Sequence, residues 1–283
     1  MEICFDKDRV ILKDIIFSPC QTLFCGQTFR FEQLGEKITG VAHGRVITIE
    51  EKKDSIILYP VSKEDFYNIW FNYFDLNRDY EELKRAFSTD EALEEVIKYA
   101  DGMRVLNQEP FETLISFIIS ANNNIARISR IIKEVCRRFG REIDGEHYAF
   151  PKPEELKKAT EKDFYECGAG YRAPYLAKTV KSICDGFDLE GVKSMEYLEA
   201  RKKLNTLFGV GNKVADCVLL YSLGFSNAFP VDVWMKRVLS KTYGVCFTDK
   251  QLLKFLEDKF GENAGIAQQY LFHYARNHRE LFI

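Results

Sequence analysis

The chain has 283 residues, 46% of them hydrophobic and 29% charged, with a formal net charge of −3. That length suits about two domains of ~150 residues each, and the composition is that of an ordinary soluble globular protein. The opening MEICFDKDRVILKD mixes acids and bases, unlike a secretory signal, and no run of ~18 apolar residues occurs that would read as a membrane-spanning helix.

In chain order, the pattern is strand-like up to about residue 60. KITGVAHGRVITIEEKKDSIILYP alternates apolar and polar residues, with turns offered at His43-Gly44 and at 52–54, and reads as an antiparallel meander with one packed face. From Lys63 onward the period becomes helical. EDFYNIWFNYF, YEELKRAF, EEVIKYADGM and FETLISFIISA each repeat apolar residues at three- and four-residue spacing. The same period continues through ARISRIIKEVCRRF, YLAKTVKSICDGF, VADCVLLYSL, VWMKRVLSKTYG and AGIAQQYLFHYARN. Strands first and helices after describe an α+β protein, divided here as a sheet domain with flanking helices over 1–102 and a helical domain over 103–283.

The cysteines at 4, 20, 25, 136, 167, 184, 217 and 246 form no CxxC pair, and the histidines at 43, 147, 273 and 278 lack metal-ligand spacing. This scatter reads as reduced thiols inside a cell, with neither structural zinc nor an iron–sulfur cluster. Charge is segregated. Residues 122–141 hold six basic side chains against Glu134, and residues 201–241 hold seven against Asp216 and Asp232. Together these windows carry +10 and the rest of the chain −13. The distribution suits a protein meeting a polyanion on one face; it equally suits two solvated helix faces.

LFGVGNKVADC, Leu207 to Cys217, is the most informative stretch. One helix ends at 204–207 and the next is in steady period from Val214, so Gly209 and Gly211 form the turn of a helix–hairpin–helix spanning about 204–214, where both glycines permit positive φ. Backbone N–H groups left unpaired at such a turn point outward at a helix N-terminus and suit a phosphate oxygen. A Walker loop needs four residues between its glycines and is excluded. A plain turn with glycine caps fits the same residues. Lys213, on the first turn of the new helix, is opposed by the helix dipole, which favours the neutral, nucleophilic amine. Cys217 and Tyr221 follow on the same stripe and make either a pocket wall or a core stripe beneath a surface lysine. Downstream, FPVDVWMKRV brings Asp232 to the start of an amphipathic helix, where an ordinary N-cap is the simplest reading.

GVGNKVADC followed by PVDV resembles the helix–hairpin–helix DNA glycosylases, and more closely the 8-oxoguanine DNA glycosylase/lyases. Four further segments resemble that family in order: Cys25-Gly26-Gln27-Thr28-Phe29-Arg30, Ser120-Ala121-Asn122-Asn123-Asn124-Ile125-Ala126-Arg127, Gly170-Tyr171-Arg172-Ala173, and Ala267-Gln268-Gln269-Tyr270-Leu271-Phe272. The resemblance implies an N-terminal antiparallel sheet domain followed by two all-α subdomains with the active cleft between them. It also implies base-excision repair of duplex DNA, with 8-oxoguanine opposite cytosine flipped out of the stack, its glycosidic bond cleaved, and the strand nicked by β-elimination.

Residue by residue, it implies Lys213 as the nucleophile that forms a Schiff base and Asp232 as its carboxylate partner. Gly26, Cys217, Pro230, Gln268 and Phe272 would bind the lesion, the Gly26 carbonyl accepting from the N–H that oxidation places at N7 while guanine itself presents an acceptor there. Taken alone, Gly26 is a turn glycine and Phe272 a core aromatic. Asn122 would fill the gap in the stack with Tyr171 wedged beside it, Arg127 and Arg172 would grip the orphaned cytosine, and Gly209 and Gly211 would hold phosphate. The hairpin carbonyls of Asn205, Leu207 and Val210 offer a monovalent cation site; no other cofactor is implied. The sequence departs from the family at Trp234, where histidine is common, at Tyr221, and at Phe208, and these departures bear on pocket shape more than on chemistry. A monomer without membrane association is the default, in the cytoplasm or nucleoid of a prokaryote or the nucleus of a eukaryote. Two rivals stay open: a glycosylase acting on an alkylated purine, and a non-catalytic protein that clamps DNA through its hairpin.

Overall fold

The computed structural model describes residues 1–245 and 248–283; Cys246 therefore lies outside the described residues. Six strands, β1 Glu2–Asp6, β2 Arg9–Lys13, β3 Phe31–Leu34, β4 Lys37–Ala42, β5 Arg45–Lys52 and β6 Ser55–Tyr59, form one antiparallel sheet in the order β1-β2-β6-β5-β4-β3. The expected meander is β4-β5-β6. His43 and Gly44 make its first two-residue turn with φ of 51° and 65°, the left-handed pair that matches the twist of a hairpin. The β1–β2 hairpin adds itself to the far edge by pairing β2 with β6. Inward residues Val10, Leu12, Ile47, Ile49 and Leu58 are fully buried against Phe66, Trp70, Tyr73 and Phe74. EDFYNIWFNYF is helical as expected, but not uniformly. The chain there runs Lys63–Asp65, then a π-helical turn Phe66–Trp70, then Phe71–Tyr73. The widened turn lets Phe66, Trp70, Tyr73 and Phe74 all reach the sheet.

The second and larger core is all helical. It begins at Tyr80–Phe87 and Glu94–Tyr99, and it also takes in Cys25 and Phe29 from the loop before β3. The two cores therefore do not follow a single cut at residue 102: Leu106 packs with the sheet and the helices of 80–99 pack with the rest. Helix Pro110–Ser120 is buried from Thr113 to Ile119 and lies against helix Asn212–Ser222, itself buried from Val214 to Ser222. The C-terminal helix, Ala264–Asn277, runs beside them and is buried from Ala264 to Leu271. Among the described residues no helix is long and apolar enough to cross a membrane.

Polar staples lock the sheet to the helices. Arg104, 4% exposed, donates to the carbonyls of Ile16 and Asp75 at 3.0 and 2.7 Å and stacks on Tyr80. The buried pair Arg30–Glu112 closes at 3.2 Å, and burial pushes the Glu112 carboxyl up to about 7 against the pull of Arg30.

Candidate active site and DNA-facing surface

The helix Tyr197–Leu204 ends on three basic residues and the next, Asn212–Ser222, starts after Gly211. Gly209 has φ of 74°, in the left-handed region, and a Cβ there would lie 2.7 Å from Tyr175 Cβ. Gly211 differs from expectation. It is an extended N-cap with φ −91°, and a Cβ there would meet nothing within 4 Å. What a side chain at 211 would obstruct is thus the open approach to the helix N-terminus, not the protein itself. The hairpin is held from behind by Thr179, whose hydroxyl donates to the Phe208 carbonyl at 2.8 Å.

Lys213 lies on the first turn of its helix, half-buried, with Nζ 5.0 Å from the centroid of the Phe117 ring. Its neighbour one turn on, Cys217, is 2% exposed, and burial drives that thiol up to about 12, with the Lys213 amine and its hydrogen bond opposing and Asp232 adding to the rise. Lysine and carboxylate thus both act on the one buried thiol. Asp232 is exposed and caps the helix Val233–Tyr243, accepting from Met235 N at 2.8 Å. One carboxylate oxygen serves the cap, and the side chain is fixed where the buried Phe229-Pro230 segment delivers it. Lys213 and Asp232 form no ion pair with each other.

Gly26 has φ of +93°, and a Cβ there would lie 3.4 Å from the Phe272 ring, 3.3 Å from Arg276 and 3.8 Å from Ile125. The loop around it has its carbonyls assigned one by one. Arg276 donates to Phe24 O at 3.3 Å, Gln269 to Cys25 O at 3.3 Å, and Gln108 to Gln27 O at 2.7 Å. Among the described residues nothing donates to Gly26 O. Gln268, 2% exposed, has a buried Oε1 with no hydrogen-bond partner among the described residues. A buried acceptor without a donor costs about 1–3 kcal/mol, so its persistence calls for an explanation. Phe272 is half-buried one helical turn further on.

The asparagine-rich turn is built locally. Asn122 is exposed in the left-handed region with φ of 48°, Asn123 ties back to Ile119 O at 3.0 Å, and Asn124 caps the helix Ile125–Phe139 through Arg127 N. Tyr171 is 56% exposed beside it. Arg127 is exposed and makes one long bond, 3.4 Å, to Gly168 O. Arg172 departs from the expectation of a free base-gripping arginine. It is 2% exposed, its donors reach the carbonyls of Ala121, Asn122 and Ala169 at 2.5–3.3 Å, and its plane lies 4.3 Å from the Tyr171 ring. Carbonyls crowded at the end of one helix attract a guanidinium strongly, and nothing in the local sequence announces this.

The charge reading also needs correction. In the window 122–141, Lys133 pairs with Glu32, Arg137 with Glu134, and Arg138 with Asp163 and Glu166, so the open cationic face there narrows to Arg127 and its neighbours. In the second window Arg201 is spent on the buried Asp216 at 3.0 Å, which also accepts from Tyr197. Burial pushes the Asp216 carboxyl up to about 7, Arg201 and Tyr197 opposing. Sequence reasoning passed over Asp216, Phe117, Gln269 and Arg276. An acid inside the apolar run VADCVLLYS and a second glutamine in AQQYLF were the available signals; Phe117 had none.

A helical hairpin, a lysine heading the following helix and a capping aspartate, all set beside an antiparallel sheet domain, define a base-excision DNA repair protein of the helix–hairpin–helix class. Two family models agree. Residues 9–114 match the 8-oxoguanine DNA glycosylase N-terminal domain, and residues 115–261 match the HhH-GPD superfamily base excision DNA repair protein. The N-glycosylase/DNA lyase OGG1 of Arabidopsis thaliana is 34% identical over 277 residues, covering 87% of this chain and 74% of that protein. The probable N-glycosylase/DNA lyase of Methanothermobacter thermautotrophicus is 36% identical over 227 residues, 72% of each. The crystal structure of Clostridium acetobutylicum 8-oxoguanine glycosylase/lyase, in complex with double-stranded DNA containing cytosine opposite 8-oxoguanine, superposes with a TM-score of 0.95 at 39% identity over 99% of each chain. The chain belongs to the 8-oxoguanine DNA glycosylase/lyase family, and it is a bifunctional N-glycosylase and DNA lyase.

Proposed function

We propose that the protein excises 8-oxoguanine opposite cytosine, with Lys213 as nucleophile. One observation carries the reading: a deeply buried, unpartnered Gln268 Oε1, one turn from the Phe272 that flanks Gly26, whose carbonyl is likewise free. The Watson–Crick edge of a guanine offers N–H donors to Gln268, and only the oxidised base offers an N–H at N7 to Gly26. Against normal guanine the Gly26 carbonyl meets an acceptor, and one unpaired buried group costs about 1–3 kcal/mol, a discrimination of tens- to hundredfold. Phe272 and Cys217 would enclose the ring, with the buried Pro230 shaping the wall.

The neutral Lys213 amine attacks C1′. A bond forms from Nζ to C1′ as the bond from C1′ to the base breaks and the base leaves with a proton. The C1′–O4′ bond then breaks as the nitrogen lone pair forms the C1′=Nζ Schiff base, O4′ leaving as a hydroxyl with the proton that Asp232 took from the amine, and removal of a C2′ proton then expels the 3′ phosphate. Asp232 takes the proton from the amine and stabilises the positive charge growing on the sugar. Phe117, under the amine, restricts its rotamers.

On the strand, Gly209 and Gly211 present N–H groups to phosphate. The carbonyls of Asn205 and Val210 take no hydrogen bond from any described residue, and that of Leu207 takes a single long one from Val210 N at 3.3 Å. A neutral, all-carbonyl set of this kind fits a hard monovalent cation and would brace the turn with it. Tyr171 and Asn122 enter the stack, and Arg127 donates to the cytosine left behind. Arg172 serves the base only by exchanging its present carbonyls; as found, it braces the turn that carries Asn122.

Borohydride trapping tests this on a duplex holding one 8-oxoguanine opposite cytosine. The expected result is a covalent adduct that Lys213→Gln abolishes. Excision without an adduct favours a water-activating glycosylase, and no excision a DNA clamp. Equal excision opposite all four bases would overturn the role given to Arg127.

A further inference from the structure

The catalytic helix and the loop that carries Gly26 are joined by a two-bond relay of buried side chains. Tyr221, 4% exposed, donates its hydroxyl to Gln269 Oε1 at 2.5 Å, and Gln269, fully buried, donates from Nε2 to Cys25 O at 3.3 Å. The direction of the relay is unambiguous. A backbone carbonyl only accepts, so the amide nitrogen must face Cys25, its oxygen must face Tyr221, and the phenol must be the donor. At its other end the Tyr221 ring stacks on Phe117, centroids 5.4 Å apart and planes at 23°, and Lys213 Nζ lies over that same Phe117. An unbroken chain of contacts therefore runs from the nucleophile to the residue before Gly26.

We propose that Tyr221 and Gln269 are positioning residues that set the selectivity for the oxidised base without touching it. This rests on the reading in which the Gly26 carbonyl accepts from the lesion. Cys25 O is bound by Gln269, Phe24 O by Arg276 and Gln27 O by Gln108, so rotation of the peptide planes on either side of Gly26 is restrained. Of these three restraints, the one adjoining Gly26 on its N-terminal side is the relay. Release it, and the plane that aims the Gly26 carbonyl is freed on that side; an acceptor with latitude to turn aside no longer penalises a guanine N7. The relay also fixes the distance between that carbonyl and Lys213, so a correctly read base presents its C1′ to the amine.

The test separates reading from chemistry. Tyr221→Phe keeps the stacked ring and removes the donor; Gln269→Met keeps volume and removes both bonds. Each is assayed in single-turnover excision of 8-oxoguanine and of guanine in the same duplex context, and in borohydride trapping on an abasic-site duplex, which has no base to read. The expected outcome is a fall of about tenfold in the 8-oxoguanine-to-guanine rate ratio, with the loss on 8-oxoguanine exceeding the loss on the abasic duplex, and a double variant no worse than the more affected single one. An unchanged ratio in variants with cooperative thermal melting overturns the proposal, as does an equal loss on both duplexes, which would mark a merely structural role. Should the unaltered protein fail to excise 8-oxoguanine, the functional reading falls and the relay with it; should it excise normally while the ratio stays fixed, only the relay falls.

Discussion

Gly26 has two independent reasons to be glycine: its φ of +93°, and an Arg276 nitrogen and Phe272 ring within 3.4 Å of any Cβ. An L-residue in the left-handed region costs roughly 1–2 kcal/mol, and the methyl group would also occupy space where a base would lie. Gly26→Ala is therefore expected to lower stability by about that amount in urea denaturation and to slow 8-oxoguanine excision more than tenfold, roughly, with less effect on abasic-site trapping. Gln268 makes the opposite trade. Its orphaned Oε1 is a liability in the free protein, so Gln268→Leu should raise the unfolding free energy by about 1 kcal/mol while reducing excision. A destabilised Gln268→Leu protein would mean that the oxygen has a partner after all. Both residues were legible as a motif, but the observations that support the proposed base contacts, a free carbonyl and a buried atom without a donor, exist only in three dimensions.

Among the elements, helix Ala173–Cys184 sets a spacing. Its first turn follows directly on Tyr171 and Arg172, Tyr175 packs under Gly209, and Thr179 holds the Phe208 carbonyl, so one helix spans from Tyr171 to the hairpin turn. Thr179→Val should cost about 1 kcal/mol in stability and weaken binding to a duplex in fluorescence anisotropy at fixed salt. Gly209→Ala should be worse on both counts, because its methyl would meet the root of Tyr175 at 2.7 Å as well as the left-handed backbone. Unaltered DNA affinity in Gly209→Ala would remove the hairpin from the interface. The helices themselves were readable wherever the apolar period was long, as in Ile125–Phe139. The helical reading also holds at 63–73, with one turn widened to a π-turn, whereas at Gly211 glycine spacing suggested a positive φ that an extended cap does not need.

For the molecule as a whole, buried ionisable groups give the stability profile two opposed limbs. His273, 7% exposed, is held down to about 4 from 6.5, by burial first and then by Arg276 and His278. Its contribution is complete above pH 6.5 and is lost as pH falls through the interval to 4, since the unfolded chain takes up the proton first. Asp216 and Glu112, both raised to about 7 by burial, act in the reverse sense: their contribution is complete below the ordinary carboxylate range and is lost as pH rises through 7. Denaturation across pH should accordingly find that His273→Gln flattens the acid limb and that Asp216→Asn reduces the neutral one, Glu112 keeping the remainder, each variant leaving the other limb in place. A wild-type acid limb that persists in His273→Gln would assign it elsewhere.

What the sequence determined by itself was local: the order of strands and helices, the turn at Gly209, the place of Lys213 on a first helical turn, and Asp232 as a cap. Each depends on periodicity or on backbone preference within a few residues. Tertiary structure decided which polar groups are spent and which are left free. Arg172 is consumed by the carbonyls of a turn 50 residues away, and Gln269 reaches Cys25 across 244 residues of chain. Hydrogen-bond partners in a buried site are chosen by the packing of distant segments, because a donor shut away from water must take whatever acceptor folding brings within reach.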